Sequence, residues 1–570
     1  MSRPDLLIHP LVVRTAVVTD VQTLPGRVRR VRLGGEQLRP FTRDGLEHPG
    51  FAAPGFDDHV KIILAADGDV AAALPRQHPD GIEWTPSEHR LTRDYTPHDV
   101  DPVTGAFSID FVLHGDGPAA RWATAAEPGD TLSFAGPKSS MVLPDDVTAI
   151  VLLGDDTAIP AIRRFLTEVT VPVPVHVAVV VGDDAPRDLP AGSATSVTLE
   201  RPGVAGADTY AALFDRISAA EDLGDRPFVW AAGESRALLA LRRRIGPTVG
   251  RGHRSITGYW HTDEDAAGSP GPALPGLPVG WFMVRAALEL GLFEAVRGGA
   301  LSAAELGERI GAVGELGPLL GGLASLALLE PGSDGRWALS GAAEDLLDDP
   351  HAREEFAGPE ADRALALQHL GRSLRSGTPA WEIAHGEAFS DSLRRDPELA
   401  DHLAHESGSL VYLQHGLVRV LRSLGTGDVV VVGPGARLVE DLARRHGLTT
   451  VRAGSVGDGA GGGGGRATVA VSAMLLGHLD DDAACAHLRG LADLAPRLVV
   501  IDASAPDGLS PAAAEETVLQ FAVTAAAPRS PERVAELAAA GGWTSISHRG
   551  IGWGVVAAEF ALAAGPGPAT

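Results

Sequence analysis

A chain of 570 residues exceeds what one hydrophobic core organises and calls for three or four domains. Hydrophobic residues make up 44%, yet no apolar run approaches the roughly 20 residues that cross a bilayer, and Met1-Ser2-Arg3-Pro4-Asp5 lacks the apolar core of a secretory signal; no membrane partner and a cytoplasmic location are expected. A net charge of −26 argues against nucleic acid, and the single cysteine, Cys485, excludes an internal disulfide and an iron–sulfur cluster on the chain's own thiolates, so any electrons must travel on an organic cofactor.

From about residue 10 to 145 come short β-branched runs, Val12 to Val18, Val28 to Leu33, His59 to Leu64, Phe107 to Leu113 and Thr131 to Phe134, separated by Gly, Pro and Asp. That spacing predicts a small antiparallel β-barrel. Within it, Arg93-Asp94-Tyr95-Thr96 groups a cation, an aromatic ring and a hydroxyl, and Gly117-Pro118-Ala119-Ala120 opens a helix at Arg121 whose N-terminus would face an anion. Flavin adenine dinucleotide needs such a set: a hydroxyl near its ring edge, an aromatic flank, and donors for its pyrophosphate. From Thr148 strands and helices alternate: Ala149 to Leu153, a helix from Ile159, Val175 to Val181, a helix from Thr209 to Ala220, and Phe228 to Ala232. This predicts an α/β unit over 146–260 with a parallel sheet and ligands at the carboxyl ends of its strands. Gly154 to Thr157 follows a buried strand and precedes a helix, so its backbone donors would face phosphate.

Residues 261–278, rich in Asp, Gly and Pro, read as a linker. Over 279–425 the periodicity is helical; Ser302 and Glu305 form a capping box, and Leu301 to Leu347 predicts a winged helix. The acidic balance favours a homodimerisation module over a DNA reader. Over 426–565, Asp428-Val429-Val430-Val431-Val432-Gly433-Pro434-Gly435 reads as the first strand and glycine loop of a Rossmann-like domain.

Six ordered motifs resemble the siderophore-interacting proteins, flavin-dependent ferric-siderophore reductases, from about Val12 to Trp260: Asp57 to Lys61, Arg93 to Thr96, Asp110 to Ala123, Gly154 to Ile162, Trp230 to Ser235, and Gly258-Tyr259-Trp260. The resemblance implies a ferredoxin-reductase-like pair, an FAD-binding barrel and an NAD(P)H-binding α/β domain. It gives Arg93 to the pyrophosphate, Tyr95 to the ring flank and Thr96 to the neighbourhood of N5. It extends the cofactor set to His98, His114, Gly117, Pro118, Ala119, Ala120, Trp122, Gly136, Ser139, Asp155, Thr157, Ala158, Gly233, Glu234, Tyr259 and Trp260. No catalytic or metal-ligating residue is implied, because the cofactor carries hydride from NADPH or NADH to the iron. Two positions depart from the family: His98 stands where a second arginine is usual, and Ser139 in Gly136-Pro137-Lys138-Ser139 where glycine is usual.

A second resemblance, to small-molecule O-methyltransferases with a winged-helix dimerisation domain, covers about Val279 to Phe560 through Leu301 to Leu347, Ser376 to Trp381 with His385-Gly386, and Asp396 to Ala400. Here the departures fall on the cofactor. Val431 stands where a carboxylate usually precedes the glycine loop, no carboxylate lies between Asp441 and Asp458, and Gly461 to Gly465 occupies the place of the adenine pocket. The family's His-Asp-Trp-Asp-Asp pattern aligns its general base with Gly477, one residue before His478. A pseudo-methyltransferase is expected, with S-adenosylmethionine not bound. The whole chain then reads as a flavin-dependent reductase of ferric siderophores or related small molecules fused to a dimerising or substrate-binding half. Two other readings stay open: a natural-product tailoring enzyme whose methyltransferase-like half methylates, cyclises or rearranges its substrate, and a binding protein in which both halves have lost catalysis.

Overall fold

The computed structural model describes residues 5–66, 68–85, 87, 89–113, 117–182, 189–190, 195–200, 209–235, 237–260, 277–425, 427–447, 451–454, 466–505 and 513–563. His114, most of the expected linker and the glycine run at 461–465 lie outside these residues.

The first sheet is seven-stranded and antiparallel, in the order Pro97–His98, Phe107–Val112, Val28–Gly34, Val13–Leu24, Thr131–Ala135, Val60–Ala65, Arg90–Tyr95. Its two outermost strands are joined in the chain by Thr96 alone, so the sheet bends round until its edges meet there. Alternation drives this: Phe107, Ile109 and Phe111 point inward with Val31, Leu33, Ile62 and Phe134 into one core.

The second sheet is five-stranded and parallel, in the order Ser196–Glu200, Val175–Val180, Ala149–Asp155, Pro227–Glu234, Arg254–Trp260. Helices Ile159–Glu168, Thr209–Ala220 and Ala237–Ile245 cover it. Ile150, Leu152 and Phe228 face one core and Ala149, Val151 and Val229 the other, which is why these strands read as unbroken apolar runs.

After residue 276 the chain becomes helical around a small three-stranded antiparallel sheet, in the order Leu301–Ser302, Arg336–Leu339, Leu329–Pro331. The Ser302–Glu305 capping box is formed at helix Ala303–Ile310. The last sheet runs Val451–Gly454, Val429–Val432, Val469–Ala473, Arg497–Ala503, Val555–Leu562, Trp543–Gly552. Its first four strands are parallel, and Val555–Leu562 runs antiparallel to both its neighbours. No helix among the described residues is long and apolar enough to cross a membrane.

The halves meet at a specific contact. A hairpin, Arg76–Gln77 with Ile82–Glu83, carries Asp80 against Arg419, whose Nε and Nη2 reach its Oδ1 at 2.9 and 2.7 Å. The Trp553 N–H donates to the Ile82 carbonyl at 2.9 Å, and His415 Nε2 donates to the Ile8 carbonyl at 3.1 Å. The Trp553 side chain packs on the cluster of Leu11, Ile63, Ile82 and Trp84 and also on the core of the last sheet.

Candidate functional site

Arg90–Tyr95 pairs with Val60–Ala65 so that Tyr95 faces Val60 and Asp94 faces Lys61. Lys61 Nζ bonds both Asp94 oxygens at 2.8 and 2.9 Å. On the inward side the Tyr95 ring lies 4.5 Å from Phe111, and Phe111 lies 5.6 Å from Trp122. These three rings form an aromatic row. Burial pushes the Tyr95 hydroxyl up to about 12, so it remains a proton donor throughout the neutral range. Arg93 is exposed, its Nη1 donating to the Thr92 carbonyl. Trp122 belongs to helix Pro118–Ala125, which begins after Gly117; among the described residues nothing lies within 4 Å of where a Gly117 Cβ would stand, and Ala119 is buried in the core of the first sheet.

Thr96 is buried and its side chain hydrogen-bonds Tyr259 of the second sheet. Burial raises the Tyr259 hydroxyl, and the nearby Asp57 adds to this. Asp57 accepts the Trp230 indole N–H at 3.3 Å, Phe56 packs edge-on against Phe165 and Trp230, and buried Arg164 bonds the carbonyls of Pro97 and Ala53. Thr96 therefore sits where the two sheets join.

His98, in the expected cofactor set, lies apart from these side chains. The pairing of Pro97 with Ile109 and His98 with Ser108 turns the imidazole inward, where it is buried. Nδ1 is 2.9 Å from Asp99 and Nε2 is 3.1 Å from Asp110, which Arg30 also holds at 2.7 and 2.8 Å. Burial alone would lower the His98 pKa; its two carboxylate partners outweigh that and raise it. Its charge is balanced by these two carboxylates inside the first sheet. Ser139 is likewise committed to a ladder, paired with Ile8 in the two-stranded sheet Leu6–Ile8 with Ser139–Met141, directly after Gly136-Pro137-Lys138.

The turn at Gly154 to Thr157 is organised around the Asp155 carboxylate. Asp155 Oδ1 accepts the Thr157 N–H at 2.9 Å, and Oδ2 accepts the Tyr210 hydroxyl at 3.1 Å, the Glu234 N–H at 3.0 Å and the Trp260 indole N–H at 2.9 Å. One carboxylate thus ties together the carboxyl ends of three parallel strands and the helix carrying Tyr210, and takes up the Thr157 N–H of the turn itself. A Cβ at Gly233 would collide with Tyr210 and Asp155, which accounts for glycine there. Glu234 caps helix Ala237–Ile245 by accepting the Ala237 N–H at 2.8 Å, and Ala158 is buried. A cavity of about 200 Å³ lies between the first sheet and the start of helix Ile159–Glu168, lined among others by Val28, Arg30, Asp110, Asp156, Ile159 and Arg163. Sequence reasoning missed Tyr210 and Arg164, which sit in helices whose local pattern does not set them apart; only their long-range partners reveal them.

In the C-terminal half Val431 is fully buried, and the N–H of Gly435 donates to Ala473 O at 3.1 Å. His478 ends a short 3-10 turn, Leu476–His478, with its ring 6.1 Å from Phe389, and burial lowers its pKa to about 4. Asp502 accepts the Leu476 N–H at 2.7 Å and is pushed up to about 6 by burial.

The sequence profile of the siderophore-interacting FAD-binding domain matches residues 17–141, and that of the siderophore-interacting protein matches residues 147–263. The NADPH-dependent ferric-chelate reductase of Escherichia coli is 30% identical over 262 residues, spanning 45% of this chain and 96% of that protein. Among solved structures, a siderophore utilization protein from T. fusca is 30% identical, with a TM-score of 0.40 over 46% of this chain and 97% of that one. The O-methyltransferase NcsB1 from neocarzinostatin biosynthesis is 24% identical, with a TM-score of 0.39 over 51% of this chain and 100% of that one.

Proposed function

The chain belongs, through its N-terminal half, to the siderophore-interacting protein family, and from that premise we propose that it is a flavin-dependent NAD(P)H oxidoreductase that reduces ferric siderophores and releases Fe(II). The observation that carries this reading is the junction at Thr96, where the strand bearing Arg93 and Tyr95 meets the carboxyl ends of the parallel sheet through Tyr259. The donor set suits FAD: an exposed guanidinium, a protonated phenol in an aromatic row, and a helix N-terminus after Gly117, where no other described residue comes within 4 Å of a Cβ position.

FAD, when bound, supplies the exchange between a two-electron hydride and single electrons. Arg93 would pair with the pyrophosphate and Tyr95 would flank the ring, while Thr96 is held by Tyr259 so that its hydroxyl keeps one orientation. Asp155 fixes Trp260 and the Glu234 turn at the edge where the nicotinamide enters. No side chain need donate or accept a proton for iron reduction. Hard oxygen ligands hold Fe(II) less tightly than Fe(III), so reduction itself loosens the chelate. NADPH is the proposed donor, after the relative named for it.

In this reading 10–145 binds FAD, 146–260 binds the nicotinamide nucleotide, and 279–425 is a winged-helix dimerisation domain. Residues 426–565 are a methyltransferase-like scaffold that does not bind S-adenosylmethionine, because buried Val431 offers the cofactor no acceptor. Purified protein should show flavin absorption bands, oxidise NADPH only with a ferric chelate, and give no calorimetric signal with S-adenosylmethionine. Colourless protein that stays inactive with added FAD overturns the reductase reading, and saturable S-adenosylmethionine binding overturns the scaffold reading. The tailoring alternative has one observation in its favour, the neutral imidazole of His478 beside Phe389; it predicts product formation that His478→Ala abolishes.

A further inference from the structure

Arg164 stands midway along helix Ile159–Glu168, which follows the first strand of the parallel sheet, yet its side chain reaches into the antiparallel unit. Nη1 donates to the Pro97 carbonyl at 3.2 Å and Nη2 to the Ala53 carbonyl, while Nε donates to Glu168, one turn on, at 2.6 Å. The residue is only 3% exposed, so these acceptors stand in for the water that its charge has lost. A planar guanidinium fork serves two carbonyls and a carboxylate together, whereas an ammonium offers one nitrogen and no such plane.

Both carbonyls belong to segments that build the junction at Thr96. Pro97 directly follows Thr96, which is thereby gripped from two elements of the parallel-sheet unit: its side chain bonds Tyr259 of strand Arg254–Trp260, and the next carbonyl bonds Arg164. Strand pairing holds this edge weakly, because Pro97 and His98 alone face Ile109 and Ser108 and a proline brings no N–H to the ladder. On the other side Ala53 leads into Phe56 and Asp57. Phe56 packs edge-on against Phe165, the neighbour of Arg164, and Asp57 accepts the Trp230 N–H at 3.3 Å. Burial raises the pKa of Asp57 and of Asp58, and the Arg164 charge is among the influences that pull both back.

We propose that Arg164 is a positioning residue for hydride delivery: by holding the Ala53 and Pro97 carbonyls from helix Ile159–Glu168, it fixes where the nucleotide-binding sheet stands over Thr96, and hence the distance from donor to acceptor. This rests on the reductase reading. In that reaction the C4–H bond of NADPH breaks, its two electrons end on two Fe(III), and NADP⁺ and one proton are released. Hydride transfer needs the reacting atoms in contact, and a displacement of about 1 Å costs on the order of a hundredfold in rate. Single-electron transfer to iron tolerates a longer separation and does not involve the nucleotide unit. Arg164 therefore bears on the first half of the reaction and leaves the second alone.

The test uses the full chain, loaded with FAD and flavin-free. With the loaded chain, stopped flow follows bleaching of the flavin by NADPH without iron and, separately, re-oxidation of dithionite-reduced protein by ferric citrate. Arg164→Ala should slow the bleaching about thirtyfold while the re-oxidation rate and the KM for NADPH stay within about twofold. Guanidinium in solution should restore most of the lost rate, and ammonium should not, because the vacated place takes a planar fork. On the flavin-free chain, hydrogen exchange read by mass spectrometry should quicken in peptides around Ala53 and Pro97, slow again with guanidinium, and stay unchanged in Ser196–Glu200 at the far edge of the parallel sheet. Arg164→Lys, which keeps the charge and loses the fork, should slow bleaching and quicken exchange in the same direction, and it carries the test if Arg164→Ala does not fold. Unchanged bleaching, equal loss in both half-reactions, or unchanged exchange around both carbonyls overturns the proposal. If NADPH does not bleach the unmodified chain, the reductase reading fails, while the exchange measurement still decides whether Arg164 clamps the two units.

Discussion

Asp58 shows at a single residue how the junction of the two sheets sets a protonation state. Its Oδ2 accepts the Gly55 N–H and the Ser140 hydroxyl, each at 2.8 Å, while burial raises its pKa from 3.8 to about 7. The folded state therefore binds this proton more tightly than the unfolded chain, and the contribution to stability falls as pH rises from about 4 to 7. Asp58→Asn should flatten that slope in urea titrations run at pH 4, 5.5 and 7; an unaltered slope would remove Asp58 as its source. Asp155 is a carboxylate surrounded by donors. Asp155→Ala should lower the melting temperature measurably, since each buried donor left unpaired costs about 1–3 kcal/mol. The side chains of Arg93-Asp94-Tyr95-Thr96 are neighbours along the chain, so their grouping can be read from the sequence. The surroundings of His98 cannot, because its partner Asp110 is brought to it only by strand pairing, and no spacing along the chain encodes that.

At the level of elements, local periodicity carried furthest where burial is continuous. The helix at Thr209–Ala220 and the strands of the parallel sheet stand out in sequence because the 3.6-residue pattern and the β-branched runs are imposed by neighbours on both faces. The Arg76–Glu83 hairpin does not, having strands of only two residues stabilised by docking against the far half of the chain. The helical region after residue 276 leaves Val279, Phe282, Leu326 and Leu374 exposed, at 54, 51, 41 and 65% of full accessibility. Four large apolar side chains on one region favour the homodimer proposed for it. Light scattering should report a dimer for the unmodified chain and a monomer for Phe282→Glu, with the melting temperature little changed; a monomer in both cases would remove this region as the dimer interface.

Across the whole molecule, Trp553 belongs to two cores at once, one in each half. Trp553→Ala should destabilise both together, by about 2–3 kcal/mol, somewhat under the value for a fully buried aromatic ring because this one is half-buried. Calorimetry should show the two halves melting further apart in the variant, and a single unshifted transition would argue against coupling through this residue. The contact around Trp553 is held by a handful of bonds, Arg419 to Asp80, His415 to Ile8 and Trp553 to Ile82. Covalent continuity places each half before the other at an effective concentration on the order of millimolar, so the contact persists even if its intrinsic affinity is modest. Produced as separate polypeptides and mixed at micromolar concentration, the halves would then remain apart, and selection on the fused gene would have had little reason to make them stick.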